Sequence, residues 1–294
     1  MSLPHVYLVD ASVYIFRAWF SMPEDFTTAK GEPTNAAYGF CGFLCSLLEQ
    51  TSARHVAVAF DESLTTSYRN EIYPEYKANR DPAPEDLKRQ FQWARSIAES
   101  LGLRCFADPR YEADDLIGTL AEHWRARGHP ISLVSSDKDL AQLVRAGDQW
   151  WDFSRNQKLG SAQIMQKFGV QPEQIADYLA LTGDSIDNIP GVPGVGPKSA
   201  SALLQHFGDL DAIYQRIEEV QHLSIRGAKS LQKKLSDHRK AAELARLLTV
   251  IQTDVPSALA APDTQRSGVD AASLNRLFDQ LQFGGMLRQR CLRL

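Results

Sequence analysis

Nine carboxylates fall in five short clusters along the 294-residue chain: Asp10 in VYLVD, Asp61 in VAVAFD, Glu112, Asp114 and Asp115 in YEADD, Asp137 and Asp139 in SSDKD, and Asp184 and Asp187 in GDSIDN. Three clusters directly follow an apolar, β-branched run. A buried strand does not readily carry a carboxylate, but its C-terminal end does, because open α/β sheets keep their ligand crevices there. If the clusters converge, they build an anionic pocket that repels itself unless a divalent cation neutralises it. Mg2+ and Mn2+ suit such oxygen ligands, and sites that cut phosphodiesters commonly hold two ions about 4 Å apart. One ion lowers the pKa of a water, and both stabilise the charge that develops on phosphorus and the leaving oxygen. Glu112 and Asp115 are three residues apart and share a helix face, with Asp114 turned by about 100° from its neighbour, so one short element can serve two ions. Acids ahead of a helix also serve as caps. Five such clusters are better explained by convergence than by five unrelated caps.

The elements that must position these acids alternate. Residues 5–9 read as a buried strand and 11–20 as the helix after it; 38–50 has helical spacing, and 55–60 is a second strand ending at Asp61. Residues 85–101 are expected to be helical, 103–107 a strand, 112–127 a helix ended by Gly128, 131–134 a strand, and 149–153 a short edge strand. This pattern predicts an α/β fold with a mostly parallel sheet flanked by helices. From residue 170 onward the pattern is helical, with a basic tract at 226–240, a loop at 255–268 and terminal helices over 271–294. The segment 62–84 stands apart, mixing tyrosines with Arg69, Lys77 and Arg80 before the Pro-rich DPAPED. Long polar segments of this sort in compact domains are functional or disordered.

Composition narrows the class. A net charge of −4 and a pI near 6.0 argue against polyanion binding through the overall field, though not against local basic patches. The cysteines Cys41, Cys45, Cys105 and Cys291 form no C-x-x-C pair and are read as buried thiols in a reducing compartment. The N-terminus has no signal-like stretch, and the longest apolar run, around 40–48, is too short to span a bilayer, so a cytoplasmic protein without membrane contact is expected. The seven histidines are scattered, with no H-E-x-x-H, and no G-x-S-x-G elbow occurs.

GVPGVGPKSA fails as a Walker A loop, because Pro197 stands between Gly196 and Lys198. It fits a tight helix-turn-helix instead: the glycines permit close backbone approach, Pro197 suits the first turn of the following helix, and free N–H groups with Lys198 can meet a phosphate.

Taken together, VYLVDASVYIFRAWF, GEPTNAAYGF, SYRNEIYPEYKANRDPAPEDL, YEADDLIGTLA, SSDKDLAQLV, LTGDSIDNIPGVPGVGPKSA and LFDQLQFGGML give the chain a nearly full-length resemblance to the 5′-3′ exonuclease domain of bacterial DNA polymerase I and its free-standing flap endonuclease relatives. The resemblance implies a PIN-like, resolvase-like nuclease core over 1–170, a helical arch at about 62–93, and a helical DNA-binding region over 171–294 containing a helix-three-turn-helix. It assigns Asp10, Asp61, Glu112, Asp114 and Asp115 to one metal ion and Asp137, Asp139, Asp184 and Asp187 to a second, either Mg2+ or Mn2+. It also implies a K+ ion on the carbonyls of the turn. Lys77, Arg80 and Asp115 are expected to be catalytic. Arg17, Arg69, Tyr76, Gly191, Gly194, Gly196, Lys198 and Ser199 are expected to contact DNA, with Tyr76 stacking on a base.

In two respects the chain departs from the family. VDA replaces the usual VDG after the first strand, which removes no ligand, and the chain stops where a polymerase I continues into further domains. The expected activity is that of a monomeric, structure-selective 5′ nuclease hydrolysing DNA flaps, nicks or 5′ ends. The alternatives are a non-catalytic DNA-junction binder and a PIN-like ribonuclease.

Overall fold

Six strands build the centre of the molecule: β1 (Val6–Asp10), β2 (His55–Asp61), β3 (Arg104–Asp108), β4 (Ile131–Val134), β5 (Gln149–Asp152) and β6 (Gln157–Leu159), in the order β3-β2-β1-β4-β5-β6, with β-branched residues in β1, β2 and β4. The structure is a computed structural model that describes residues 3–62 and 67–294. Strands β1 to β5 run parallel, and β6 pairs antiparallel with β5. The expectation that residues 149–153 form an edge strand is therefore corrected. Trp150 and Trp151 are buried between neighbours on both sides, and the edge belongs to β6, whose three residues are too few to show a pattern in sequence.

Fourteen helices among the described residues surround the sheet: α1 (Ala11–Ser21), α2 (Asn35–Thr51), α3 (Tyr68–Ile72), α4 (Glu85–Ser100), α5 (Ala113–Arg125), α6 (Ser161–Phe168), α7 (Ile175–Thr182), α8 (Pro197–Phe207), α9 (Leu210–Gln215), α10 (Ala228–Asp237), α11 (Arg239–Thr249), α12 (Pro256–Ala260), α13 (Ala271–Gln280) and α14 (Gly285–Cys291). Alternate strand residues face opposite layers. Leu8, Ala59 and Leu133 bury against Leu116, Ile117 and Leu120 of α5, and this core continues into the helices after residue 170. Val9, Val58 and Val134 bury against Ile15 of α1, Phe40 and Leu44 of α2 and Ala94 of α4. Both faces are thus covered, as a parallel sheet requires. The chain then returns to the second face, where α13 packs on α4 and α14 on α2. Within the expected loop at 255–268, α12 forms because Pro256 is pre-set for a first helical turn.

β1 has β2 on one side and β4 on the other, so the chain reverses its direction of travel across the sheet there. Register keeps the strand ends level: Val9 lies opposite both Val58 and Val134. Ligand crevices of open α/β sheets sit at such a switch point, beyond the C-terminal strand ends.

Candidate active site

Four of the five acidic clusters reach the switch point directly. Asp10 ends β1 and caps α1, its Oδ1 accepting from Val13 N at 3.5 Å, while its Oδ2 accepts from Ser135 Oγ, just beyond β4, at 2.9 Å. Asp61 ends β2 and accepts from Ser12 Oγ at 2.7 Å and from Ala113 N, at the start of α5, at 2.8 Å. Glu112, Asp114 and Asp115 lie at that same helix start. Asp137 follows β4, and its Oδ1 accepts from Asp139 N at 3.0 Å. The fifth cluster comes from the loop after α7, folded back on itself by paired Asp184 and Ile189 backbone groups.

Proximity and burial act together on these groups. Burial, then the charges of Asp61 and Asp137, pushes the Asp10 carboxyl up to about 7. Burial, then Asp137, takes Asp139 up to about 8. Asp114 is held well above the ordinary range by burial and by Asp137, Asp10, Asp61 and Asp139. Among the described residues no Lys or Arg forms an ion pair with Asp10, Asp61, Asp114 or Asp137. The buried Asp139 Oδ1 accepts no hydrogen bond, with Lys138 Nζ 3.4 Å away. Hard carboxylate oxygens, mutual repulsion and an orphaned buried acceptor fit a divalent cation that takes oxygen ligands. No three of the nine carboxylates place oxygens within 4.8 Å of one another.

The remaining acids are met by cations. Lys77 Nζ lies 2.9 Å from Glu112 Oε1 and 3.9 Å from Asp187 Oδ2; Arg80 pairs with Asp187, and Lys138 Nζ lies 2.5 Å from Asp184 Oδ2. Burial disfavours the Lys77 ammonium, yet Glu112 and Asp187 hold its pKa above the ordinary value. Lys77 adopts φ +57°, a left-handed conformation uncommon outside glycine, and its N–H donates to Asp187 O at 2.9 Å. That backbone conformation fixes the ammonium over the acids.

Three expectations are corrected here. Asp115 is wholly buried, and its carboxylate accepts from Arg69 Nη1 (2.7 Å), Arg69 Nη2 (2.8 Å), Glu112 N (3.1 Å) and Gln252 N (2.8 Å). Both oxygens are occupied, and Asp115, at the third position of α5, closes a capping box with the N-cap Glu112 rather than standing free as a ligand. Arg69, expected at the DNA, is 3% exposed and spends its remaining donors on Leu248 O and Val250 O. Tyr76, expected to stack on a base, is 3% exposed, with its hydroxyl donating to Glu112 Oε2 at 2.9 Å. Sequence reasoning also missed Ser12, Ser135 and Lys138. The serines sit within two residues of Asp10 and Asp137, and Lys138 lies between two acids, which was the available signal.

The helical arch expected at about 62–93 meets a different chain path. Residues 63–66 lie outside the described residues; beyond them come the five-residue α3, turns at 73–80 and then α4. Pro74, Pro82 and Pro84 explain the interruption, since each removes an N–H and disfavours helix in the residue before it. The turns dock on the fifth acidic cluster, with Asn79 Nδ2 donating to Ser185 O and Asn188 Nδ2 to Glu75 O.

Beside this dock, the glycine-proline turn runs to α8, which Gly196 precedes and Pro197 begins. A Cβ on Gly191 would collide with the backbone of Thr182 and Gly183, so glycine is required where the turn crosses the end of α7. Gly194 has φ +78° and lies against the Lys234 side chain of α10, whereas a Cβ on Gly196 would meet nothing within 4 Å. Lys198 is exposed and Ser199 partly so; Lys229 and Lys233 expose further positive charge on α10. Arg17, exposed on α1, donates to Ser154 Oγ at 2.7 Å.

Residues 5–169 match the family model of the 5′-3′ exonuclease N-terminal resolvase-like domain, and residues 170–272 that of the 5′-3′ exonuclease C-terminal SAM fold. The chain is 34% identical over 284 residues to a 5′-3′ exonuclease of Aquifex aeolicus, covering 97% of this chain and 94% of that protein. It is 42% identical over 256 residues to the DNA polymerase I of Pseudomonas aeruginosa, covering 87% of this chain but only 28% of that protein. It therefore spans between a quarter and a third of the polymerases it matches. The fold is shared with the phage T5 5′-exonuclease bound to zinc (TM-score 0.70, 22% identity, 95% of this chain and 98% of that one). It is shared too with a phage T5 flap endonuclease solved with DNA and metal ions (TM-score 0.67, 21% identity, 95% and 99%).

Proposed function

Because the chain belongs to the 5′-3′ exonuclease family and is thus a nuclease, we propose that it is a structure-selective 5′ nuclease hydrolysing DNA phosphodiesters at 5′ flaps, nicks or 5′ ends. What carries this reading is the pairing of uncompensated, buried carboxylates at the sheet switch point with an exposed basic turn on the adjoining helices. Asp10, Asp61, Asp114, Asp137 and Asp139 would hold Mg2+ or Mn2+, and Glu112, Asp184 and Asp187 would join them as their cations turn to the phosphate. Bound there, the two ions supply an activated water and stabilise the charge of the displacement.

The chain's own residues do the rest. Asp115, clamped by Arg69, orients the start of α5 and so sets Glu112 and Asp114. Lys77 and Arg80 hold positive charge beside the acids, where a phosphate gaining charge would meet it. The turn 191–199 grips the backbone of a duplex through free N–H groups, Lys198 and Ser199, and would hold a K+ ion that adds positive charge there, while Arg17 contacts DNA beside β1. The protein works as a monomer in the cytoplasm, a compartment that keeps its four thiols reduced.

The test is cleavage of a 5′-labelled DNA flap and a nicked duplex with Mg2+ or Mn2+. The wild type is expected to release 5′ fragments, and Asp114→Asn to bind the flap without cutting it. A wild type that binds without cutting, or that cuts only an RNA flap, overturns the reading.

A further inference from the structure

Cys41 and Cys45 lie one turn apart on α2, and Cys291 ends α14. Their sulfurs converge: Cys291 Sγ is 3.1 Å from Cys45 Sγ and 3.5 Å from Cys41 Sγ, and all three lie within 4.8 Å of one another. All three residues are 0% exposed, in the core on the sheet face away from α5. Among the described residues no other group of three His, Cys, Asp or Glu side chains gathers so closely. A free cysteine packs as a small apolar group, and packing gives no reason to aim three sulfurs at one point. Three sulfurs so placed are a set of soft donors.

The spacing suits a metal. Zinc–sulfur bonds of about 2.3 Å in tetrahedral geometry put sulfurs about 3.8 Å apart, so closure on an ion needs shifts of less than about 1 Å. Three thiolates on a divalent ion leave one negative charge, and Arg290, next to Cys291, lies alongside. Its Nε donates to Glu49 Oε1 at 2.7 Å and its Nη2 to Ser46 Oγ at 2.8 Å, which pins α14 to the stretch of α2 carrying Cys45. Hard ions prefer the carboxylates; thiolates select soft ones.

We propose that Cys41, Cys45 and Cys291 form a second metal site, separate from the carboxylates, which takes a soft d10 cation, Zn2+ or Cu+. Each thiol releases its proton to solvent on binding, and the three metal–sulfur bonds fasten the end of the chain to α2.

The full-length protein, reduced and kept in excess Mg2+ to occupy the carboxylates, is titrated with Cd2+. A thiolate-to-cadmium ultraviolet band is expected to rise and saturate at one ion per chain, to be displaced by Cu+, and to need higher Cd2+ concentrations on protein already loaded with Zn2+, which competes for the same sulfurs. Cys45→Ser is expected to weaken Cd2+ binding by at least about 100-fold, more than loss of an outer-shell partner costs. Cys105→Ser, outside the group, leaves the titration unchanged. If Cys45→Ser does not fold, X-ray absorption on the wild-type complex decides, with three sulfurs around cadmium expected. No band in the wild type, an undiminished titration in Cys45→Ser, or a shell of oxygens alone overturns the proposal.

Discussion

Glu112, Asp115, Asp184 and Asp187 meet Lys77, Arg69, Lys138 and Arg80, whereas Asp10, Asp61, Asp114 and Asp137 meet only hydroxyls, backbone N–H groups and one another among the described residues. The two halves of one acidic site thus solve the same repulsion differently. In the first half protein cations neutralise the carboxylates, and the Arg69–Asp115 pair is buried deeply enough to be part of the core. In the second half the fold leaves the charge standing and raises the proton affinity of Asp10 and Asp114 instead, while Asp139, 3.4 Å from Lys138 Nζ, stands between the two halves. This division cuts across the grouping by ion that the family resemblance implies: Glu112 and Asp115 part from Asp10, Asp61 and Asp114.

The largest effect is expected in the uncompensated half. Asp114→Asn should lower the flap-cleavage rate by about 1000-fold or more, since several kcal/mol of transition-state stabilisation depend on held metal, while DNA affinity stays near wild type. Equal losses of binding and cleavage would merge the two halves. Arg69→Met strikes the other half as a stability defect. Leaving Asp115 charged, buried and unpaired should cost about 3–5 kcal/mol in urea unfolding; a loss under about 1 kcal/mol would return Arg69 to the surface role first expected of it. Lys77→Ala should lower single-turnover cleavage by about 100-fold, the scale of one positioned donor, with little change in DNA affinity. Lys198→Ala, which removes an exposed cation that among the described residues pairs with none of the acids, should reduce the slope of log affinity against log salt by about 1 and leave the single-turnover rate unchanged.

β1, β2 and β4 were legible because each carries β-branched residues and is closed by an acid or a turn, β3 and β5 because short apolar or aromatic runs end at an acid, and the longer helices because their apolar spacing is regular. β6 was not, since Gln157, Lys158 and Leu159 carry no alternation and are held only by their pairing with β5. The acids were legible by type and position, but not their partners. Arg69 and Tyr76 sit in a polar, tyrosine-bearing segment that reads as a solvated or DNA-facing surface. Their burial depends on Asp115 and Glu112, 46 and 36 residues away, and on carbonyls of Leu248 and Val250 about 180 residues away. Local pattern carries no trace of such distances. The cysteine group was half visible: i, i+4 spacing placed Cys41 and Cys45 on one face of α2, but only the return of α14 brings Cys291 to them.

The central claim is that Asp10 and Asp114 are uncompensated until a divalent ion binds, and thermal unfolding of chelator-treated protein against pH tests it most directly. Their folded-state pKa values lie above those of the unfolded chain, so their contribution is fully present below pH 3.8 and is lost as pH rises, through about 7 for Asp10. His5, His55 and His123, held below the ordinary range chiefly by burial, act in the opposite direction, so the comparison with Asp114→Asn isolates the acids. The account predicts that, from pH 5 to 8, the wild type loses Tm relative to Asp114→Asn, and that Mn2+ at pH 8 raises the wild-type Tm and leaves the variant's nearly unchanged. Parallel pH profiles for the two proteins, or a Tm that Mn2+ does not move, would contradict it.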